Sequence, residues 1–240
     1  MIWKPLMINS GIHHHLFLLL NYSFQHDMLT IDEKLSDYIS SFTSPEDPLL
    51  AELYRETHCK VLYPRMISGH LQGKLLEFLS RMIQPAAILE IGTYTGYSAL
   101  CLAKGLKPGG KLHTIEINDE LQPFIQTTIR KAGLQETVIL HTGDARKIIP
   151  SLKEEFDLVF IDGDKEQYLE YYKAVFGKTL TGGYIVADNV LWGGKVIAPS
   201  KDKETSGIIE FNEFVKNDNR VDKLIVPFRD GLMFIRKMTE

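Results

Sequence analysis

The sequence predicts an α/β fold in which a mainly parallel, seven-stranded sheet carries helices on both faces. After Pro85, five short and nearly continuous apolar runs alternate with segments of helical periodicity, a pattern typical of parallel strands buried on both faces. At the C-terminal end, two further strand-like runs flank a short segment that contains Gly231, which predicts a hairpin. The last strand is therefore expected to run antiparallel in the sheet.

Three helices are expected before the first strand. In TIDEKLSDYISSF, apolar residues recur at helical spacing, and Thr30 or Asp32 can cap the helix. PEDPLLAELYRETHC opens with prolines and acids, as the first turn of a helix often does. HLQGKLLEFLSRMI, from His70, is the third helix, so the sheet is preceded by a helical addition.

The alternation after Pro85 supplies the remaining elements in chain order. The first five strands read AAILEIG, KLHTIEI, TVILHTG, DLVFID and GYIVADN. The helices between them read SALCLAKGL, LQPFIQTTIRKAG, a short segment after the third strand, and EQYLEYYKAVFGKTL. A helix GIIEFNEFV then leads to the hairpin strands KLIVPF and LMFIRK, and nothing in the sequence divides the chain into two domains.

Length, net charge and cysteine content limit the kinds of protein that this chain can be. The chain has 240 residues, 44% of them hydrophobic, which suits one domain with a sizeable core. Its net charge of −4 does not resemble the basic surface of a nucleic-acid binder. Cys59 and Cys101 belong to no metal-ligand pattern, so we expect free thiols and a cytoplasmic protein.

Residues 1–27 are expected to be a peripheral extension, or the result of a start upstream of Met28, before a single domain at 28–240. The run HHHLFLLL is too short to span a bilayer and lacks the cleavage pattern of a signal peptide. Consecutive histidines point in different directions, so no metal site is expected at 13–15.

Acidic residues stand at the ends of the predicted strands. They are Glu90, Glu116, Asp144, Asp162 and Asp188. The carboxyl ends of parallel strands share one edge of the sheet, where ligands of such folds bind. Five acids at that edge therefore predict a functional site.

The end of the first strand is typical of a cofactor site. Gly92 and Gly96 permit a sharp turn, Ser98 begins a helix, and Glu116 can accept hydrogen bonds from both hydroxyls of a ribose. An adenosine-containing cofactor is therefore expected, with a simple glycine turn as the alternative. The spacing is neither G-x-G-x-x-G nor a P-loop, which disfavours a dehydrogenase.

Asp162, Asp188 and Asn189 offer three hard oxygen ligands, which suit Mg²⁺ or Ca²⁺. A divalent cation lowers the pKa of a hydroxyl that it binds. Lys165, three residues after Asp162, is expected to act as a general base whose pKa the cation lowers; the alternative is a surface lysine at a helix start. Asp164 is expected to support these ligands.

The segments EIGTYTGYS, TIEIN, GDA, FIDGDKEQY and ADNVLW, in this order and spacing, resemble the cation-dependent O-methyltransferases of the catechol and caffeoyl-CoA group. The resemblance covers about residues 45–237. It implies a Rossmann-like class I methyltransferase fold, S-adenosylmethionine (SAM) as cofactor, a small aromatic acceptor with vicinal hydroxyls, and a homodimer. Apolar positions such as Leu49, Leu53 and Leu62 are expected to be exposed and to supply the interface or a lid.

The resemblance also implies roles for individual residues. Lys165 is the implied base and acts with Asp162. The implied cofactor-binding residues are Met66, His70, Glu90, Gly92, Thr93, Ser98, Glu116, Asp144, Ala145 and Asp162. Glu116 is assigned to the ribose, Asp144 and Ala145 to the adenine, and Met66 and His70 to a segment that closes over the cofactor.

The acceptor is less well defined. Trp192 is expected to cap the core or to form a wall for a flat aromatic substrate, whereas Tyr168, Tyr171 and Tyr172 are expected only to pack. DKETSGIIEF does not clearly supply basic residues for a CoA tail, so a free catechol or hydroxycinnamate is favoured. The alternatives are a tRNA 5-hydroxyuridine methyltransferase and a binding module without activity.

Overall fold

A computed structural model describes residues 33–240 of the chain. The predictions for the N-terminal extension, for the histidines at 13–15 and for capping by Thr30 or Asp32 lie outside these residues. Between residues 33 and 240, no helix has both the length and the hydrophobicity that a bilayer span requires.

The three predicted N-terminal helices are present. They are α1 (Glu33–Phe42), α2 (Pro48–Lys60) and α3 (Gly69–Ile83). Helix α2 begins where the sequence indicates, because the Asp47 side chain accepts a hydrogen bond from the Leu49 amide over 2.9 Å and Pro48 occupies the first position.

The seven predicted strands form one sheet. They are β1 (Ala87–Ile91), β2 (Lys111–Glu116), β3 (Val138–Thr142), β4 (Phe156–Ile161), β5 (Thr179–Ala187), β6 (Val221–Val226) and β7 (Leu232–Lys237). Their spatial order is β3-β2-β1-β4-β5-β7-β6. Strands β1 to β5 pair in parallel, and β7 is antiparallel to both β5 and β6. The strand order reverses between β1 and β4, which places a ligand crevice outside their carboxyl ends.

The remaining helices cover the two faces of the sheet. They are α4 (Tyr97–Ala103), α5 (Gln122–Lys131), α6 (Ala145–Ile148), α7 (Tyr168–Phe176) and α8 (Lys203–Asn217). Side chains alternate along β1, with Ile88 in one buried cluster and Leu89 and Ile91 in the other. Both faces of the sheet are therefore packed, as the apolar strands predict.

The C-terminal end of α7 differs from the prediction. The helix expected to run through Leu180 ends at Phe176, and Thr179 already belongs to β5. The Lys178 carbonyl accepts a hydrogen bond from the Phe156 amide over 2.7 Å. This bond joins Lys178 to the start of β4. Thr179 and Leu180 therefore belong to the sheet, although helical spacing alone assigns them to the helix.

The expectation that Leu53 is exposed is wrong. Its side chain is only 3% exposed and belongs to the cluster that contains Leu76 and Leu100. Leu49 is partly buried, whereas Leu62 is 81% exposed. The apolar face of α2 therefore packs inward, and the exposed apolar surface lies elsewhere.

Candidate functional site

The predicted acids meet at one edge of the sheet. Glu90 lies within β1, Glu116 ends β2, and Asp162 and Asp188 directly follow β4 and β5. Because these strands are neighbours in the order β2-β1-β4-β5, their carboxyl ends form one crevice. Asp144 follows β3, further toward the sheet edge.

The loop after β1 passes directly against the end of β4. Gly92 has φ 97°, and a Cβ atom at this position would stand 2.2 Å from the Asp162 carbonyl oxygen. Thr93 next to it is buried, and its hydroxyl lies 2.5 Å from the Thr114 hydroxyl. Only glycine therefore fits position 92, and the first strand's loop is in contact with the segment that carries Asp162.

Glu90 is fully buried with one oxygen unpaired. Its Oε2 atom accepts a hydrogen bond from the Thr114 hydroxyl, whereas Oε1 has no partner. Burial raises the pKa of Glu90 to about 8, against the opposing effect of the Ser98 and Thr114 hydroxyls. Buried polar atoms are nearly always paired in proteins, so the free oxygen is available for a hydrogen bond to a ligand.

Glu116 is held at the end of β2 by backbone amides. Its Oε2 atom accepts from the Tyr94 amide over 2.7 Å, and Oε1 accepts from the Asn118 amide over 2.9 Å. Burial raises its pKa, and the backbone hydrogen bonds act to lower it. Beside it, the apolar side chain of Ile117 is 70% exposed. Ile117 was not predicted as a site residue, because the sequence shows only that it follows Glu116.

Asp144 caps the short helix α6, with Ala145 buried behind it. Its Oδ1 atom accepts from the Arg146 amide, and the Arg146 guanidinium bonds to both carboxylate oxygens over 3.0 and 2.8 Å. These hydrogen bonds, first of all those from the Arg146 side chain, lower the pKa of Asp144. Arg146, which the sequence analysis did not single out, therefore lies between Asp144 and Gln167, to whose Oε1 atom it also donates.

The segment with Met66 and His70 flanks the crevice. Met66 is largely exposed in the 3₁₀ turn Pro64–Met66, and His70 Nε2 lies 2.9 Å from the Ser44 carbonyl oxygen. The Tyr94 hydroxyl donates to the Leu62 carbonyl over 3.1 Å. This bond ties the segment to the loop after β1, where Glu116 is anchored.

Lys165 lies next to Asp162, as their spacing predicts. Its Nζ atom donates to Asp162 Oδ1 over 2.8 Å and to the Tyr168 hydroxyl over 2.7 Å. Tyr168 in turn donates to the Asp188 carbonyl over 2.9 Å. Tyr168, expected only to pack, therefore links the two strand ends that carry Asp162 and Asp188.

The side chains around Lys165 raise its pKa above the ordinary value. Its burial acts to lower the pKa, but the interaction with the Tyr168 hydroxyl and the charge of Asp162, with the hydrogen bonds to both, outweigh burial and raise it. The lowering expected beside a bound cation stays a prediction, because it depends on the charge of that cation. Asp164 caps the turn Lys165–Gln167, because its side chain accepts from the Glu166 amide; its expected support of the cation ligands stays a prediction.

Asp188 is buried and held from two sides. Its Oδ1 atom accepts from the Asn189 amide over 2.7 Å, and Oδ2 accepts from the Gln72 side-chain amide. Burial and the nearby charge of Asp162 raise the pKa of Asp188 to about 6. Gln72 was not predicted, because its only signal was its place in the segment PRMISGHLQG.

The donor set at this point fits a hard divalent cation. The charge of Asp162 disfavours the ionisation of Asp188, and a cation bound between the two carboxylates would offset that repulsion. No cluster of three His, Cys, Asp or Glu suited to a metal occurs among residues 33–240. Asn189, whose side chain carries an amide oxygen of the kind that hard cations bind, follows Asp188 directly.

Trp192 lies on the loop after Asn189, with one side against the core. Its Nε1 atom is buried without a hydrogen-bond partner, and Lys195 Nζ lies 5.8 Å from the ring centre. Asp230 in the β6–β7 turn holds this loop, because its carbonyl accepts from the Leu191 amide over 2.9 Å and its side chain from the Gly193 amide. Trp192 therefore packs on the core with its indole N–H still unpaired.

Comparison with known proteins places these features in a wider group. The model of a family described as O-methyltransferase matches residues 39–238. A catechol O-methyltransferase of Niastella koreensis is 35% identical over 201 residues, covering 82% of this chain and 90% of that protein. A caffeoyl-CoA O-methyltransferase of Eucalyptus gunnii is 30% identical over 226 residues, covering 89% and 91% respectively.

Solved structures agree in fold and sequence. The O-methyltransferase TomG of Streptomyces achromogenes, in complex with SAM, is 31% identical with a TM-score of 0.80, covering 86% of this chain and 96% of that one. An O-methyltransferase of Bacillus cereus in complex with S-adenosylhomocysteine (SAH) is 30% identical with a TM-score of 0.78, covering 84% and 96%. The resemblance seen in the motifs therefore extends over nearly the whole described chain.

Proposed function

Since this chain belongs to the O-methyltransferase family, we propose that it transfers a methyl group from SAM to a catechol-type or hydroxycinnamate-like small aromatic, with the help of a divalent cation. The observation that carries the proposal is the Lys165–Asp162 ion pair next to Asp188, in the crevice at the carboxyl ends of β1 and β4, where the strand order reverses. An ionisable base, two carboxylates and the cofactor loop meet there.

The cofactor is assigned to the side of the crevice formed by β1 and β2. Glu90 has a buried, unpaired oxygen, which would accept a hydrogen bond from the amino group of the cofactor, beside Gly92, Thr93 and Ser98. Glu116 would bind the ribose, since each of its oxygens keeps acceptor capacity beyond its one backbone bond. Ile117 would add an apolar contact for the adenine, near Asp144 and Ala145. Met66 and His70 would cover the ligand.

The cation, Mg²⁺ or Ca²⁺, is assigned to Asp162, Asp188 and Asn189. When bound, it would lower the pKa of the acceptor hydroxyl and so favour the oxygen anion that attacks the methyl group. The chain's own contribution is to hold the buried Asp188 close to the charge of Asp162. Lys165 Nζ, fixed by Asp162 and Tyr168, is assigned as the proton acceptor for that hydroxyl.

The acceptor is assigned to the space beside Trp192. A flat, half-buried indole with an unpaired N–H suits an aromatic ring that carries oxygen substituents. The net charge of −4 disfavours the competing substrate, a tRNA hydroxyuridine, because RNA binding needs basic surface. A small phenol with vicinal hydroxyls is therefore the preferred acceptor.

The assembly is proposed to be a cytoplasmic homodimer. Cys59 and Cys101 are free thiols, as expected in a reducing compartment. Large apolar side chains are exposed on α3 and in the segment before it, which favours burial against a second copy. They are Leu62, Tyr63, Met66, Phe78 and Met82.

The test is a methyl-transfer screen with SAM labelled on the methyl group. Catechol, caffeate, caffeoyl-CoA and hydroxyuridine tRNA are offered in parallel, each with Mg²⁺ and with EDTA. Label transfer to catechol or caffeate with Mg²⁺ alone is expected. Transfer only to tRNA, or equal transfer in EDTA, contradicts the proposal.

A further inference from the structure

A chain of hydrogen-bonded side chains runs from the β6–β7 turn to Asp188. The Arg229 guanidinium donates from Nη1 to Gln72 Oε1, and Gln72 Nε2 donates to Asp188 Oδ2. Gln72 lies in α3 and is only 2% exposed, and Arg229 follows it by 157 residues. Three distant parts of the sequence therefore meet at one carboxylate.

The Gln72 amide can satisfy both neighbours in only one orientation. A guanidinium has donors alone, and an ionised carboxylate has acceptors alone. With Oε1 toward Arg229 and Nε2 toward Asp188, both bonds form. If the amide were flipped, its NH₂ group would face the Arg229 donors and its oxygen would face the Asp188 acceptors, and neither bond could form. The two neighbours therefore fix the direction from which Gln72 holds Asp188.

Arg229 is placed for this contact in spite of its backbone. Its φ is 51°, in the left-handed region that is unfavourable for residues with a side chain. The same guanidinium also donates to the Ser68 carbonyl, directly before α3. Arg229 is thus bonded to the start of the helix that carries Gln72. Two residues further on, the Gly231 carbonyl accepts from the Val190 amide over 3.1 Å, and Val190 directly follows Asn189.

We propose that Gln72 and Arg229 are positioning residues of the cation site. Arg229 fixes the Gln72 amide, and Gln72 holds Oδ2 of Asp188 so that the remaining acceptor capacity of the carboxylate faces the crevice. Gln72 is not a ligand in this arrangement, because its oxygen is bonded to Arg229. The inference rests on the cation dependence proposed above and names two residues that decide how tightly the cation binds.

The test is a calorimetric titration with Mn²⁺ alone, without cofactor or acceptor. Gln72→Met keeps the length of the side chain and removes both hydrogen bonds, and Arg229→Gly removes the guanidinium and relieves the left-handed strain. Each variant is expected to bind Mn²⁺ about 10–100-fold more weakly, the usual effect of losing an outer hydrogen bond at a metal site. Gln126→Ala, at an exposed glutamine of α5, is the matched control and should bind as the unmodified protein does.

The double variant tests the connection between the two side chains. If Arg229 acts through Gln72, Gln72→Met combined with Arg229→Gly should bind Mn²⁺ no more weakly than Gln72→Met alone, since both changes break the same chain. A double variant weakened by the product of the two single effects overturns the connection.

Two readouts separate positioning from a general defect. The first is the affinity for SAH without cation, which should be unchanged in both single variants. The second is turnover, which should be lost at low Mg²⁺ and return at high Mg²⁺; a misfolded site would not recover in this way. If both variants bind Mn²⁺ normally while Asp188→Ala does not bind it, the positioning role is wrong and the cation site stands. If the unmodified protein does not bind Mn²⁺ and turns over in EDTA, the cation dependence fails and this inference fails with it.

Discussion

Lys165 and Asp162 form an ion pair inside the crevice, with Nζ 2.8 Å from Oδ1 and Tyr168 as a second partner of the ammonium group. Removing one member of a buried pair leaves the other charge without compensation. Replacing either residue therefore changes the surroundings of the other. The stability of each variant has to be measured as well as its turnover.

Replacing Lys165 should remove the base and leave the ligands bound. We expect Lys165→Ala to lose about 10²–10⁴-fold in turnover, the usual contribution of a general base. Lys165→Arg should be similarly slow, because a guanidinium does not give up its proton. Lys173→Ala, at an exposed lysine of α7 paired with Glu170, is the control. Steady-state kinetics and SAH calorimetry check this, and normal turnover in Lys165→Arg would exclude the proton-acceptor role.

Cation removal should stop turnover and leave cofactor binding intact. EDTA is expected to abolish methyl transfer and added Mg²⁺ to restore it, because EDTA removes the cation that Asp162 and Asp188 are proposed to bind. Asp188→Ala should bind SAH yet show no turnover at any Mg²⁺ concentration, whereas Asp222→Ala, on the exposed face of β6, should behave normally. Full activity in metal-free protein toward its acceptor would refute the mechanism.

Glu116 should contribute to cofactor affinity through the ribose. We expect Glu116→Ala to weaken SAH binding by about 1.5–3 kcal/mol, the range for charge-assisted hydrogen bonds. The variant also leaves the Tyr94 and Asn118 amides without their acceptor, so its melting temperature should fall. Glu120→Ala, at a nearby exposed acid, is the control. Unchanged SAH affinity measured by calorimetry would remove the ribose assignment.

Glu90 should make the stability of the cofactor-free protein depend on pH. Burial raises its pKa from an ordinary value of 4.5 to about 8, so between these values the folded state binds more protons than the unfolded state. The contribution of Glu90 to the free energy of unfolding is therefore largest below pH 4.5 and decreases as the pH rises through about 8. Urea unfolding of the unmodified protein and of Glu90→Gln across this window measures it. The same pH slope in both proteins would show that another group is responsible.

The exposed apolar face of α3 should be covered in solution. Phe78 and Met82 are one helical turn apart and are 55% and 71% exposed, so we expect a dimer that buries this face. Light scattering should give twice the chain mass at micromolar concentration, and Met82→Glu should shift the protein toward monomer. A single-chain mass for the unmodified protein, with turnover intact, would contradict the dimer.

The parts of the fold and site that follow local rules could be predicted from the sequence. Asp162 and Asp188 each follow a continuous apolar run, and parallel strands place such ends at one edge of the sheet, so the shared edge could be predicted without knowledge of tertiary contacts. The capping of α2 at Asp47 is equally local. The strand order could not be read in this way, although the short turn at Gly231 correctly indicated an antiparallel last strand.

What could not be predicted depends on contacts between distant residues. Gln72 resembles any polar residue of an amphipathic helix until Arg229, 157 residues away, is seen to face it. Tyr168 has the spacing of a packing residue, and only the fold shows its hydroxyl between Lys165 and Asp188. Leu53 was misjudged for the same reason, since periodicity shows that a helix has an apolar face but not which element covers it.

The contact between Gly92 and the Asp162 carbonyl bears on how the enzyme's acceptor range can be redesigned. A side chain at position 92 would displace the segment that carries Asp162, so a library that varies this position would disturb both the proposed cofactor site and the proposed cation site. Gly193 and Gly194, by contrast, face open space, and their positive φ values, 60° and 78°, are ones that asparagine and aspartate tolerate. Directed evolution toward bulkier phenols should therefore begin at 193–197, beside Trp192, where sequence diversity can be introduced without disturbing the reacting centre.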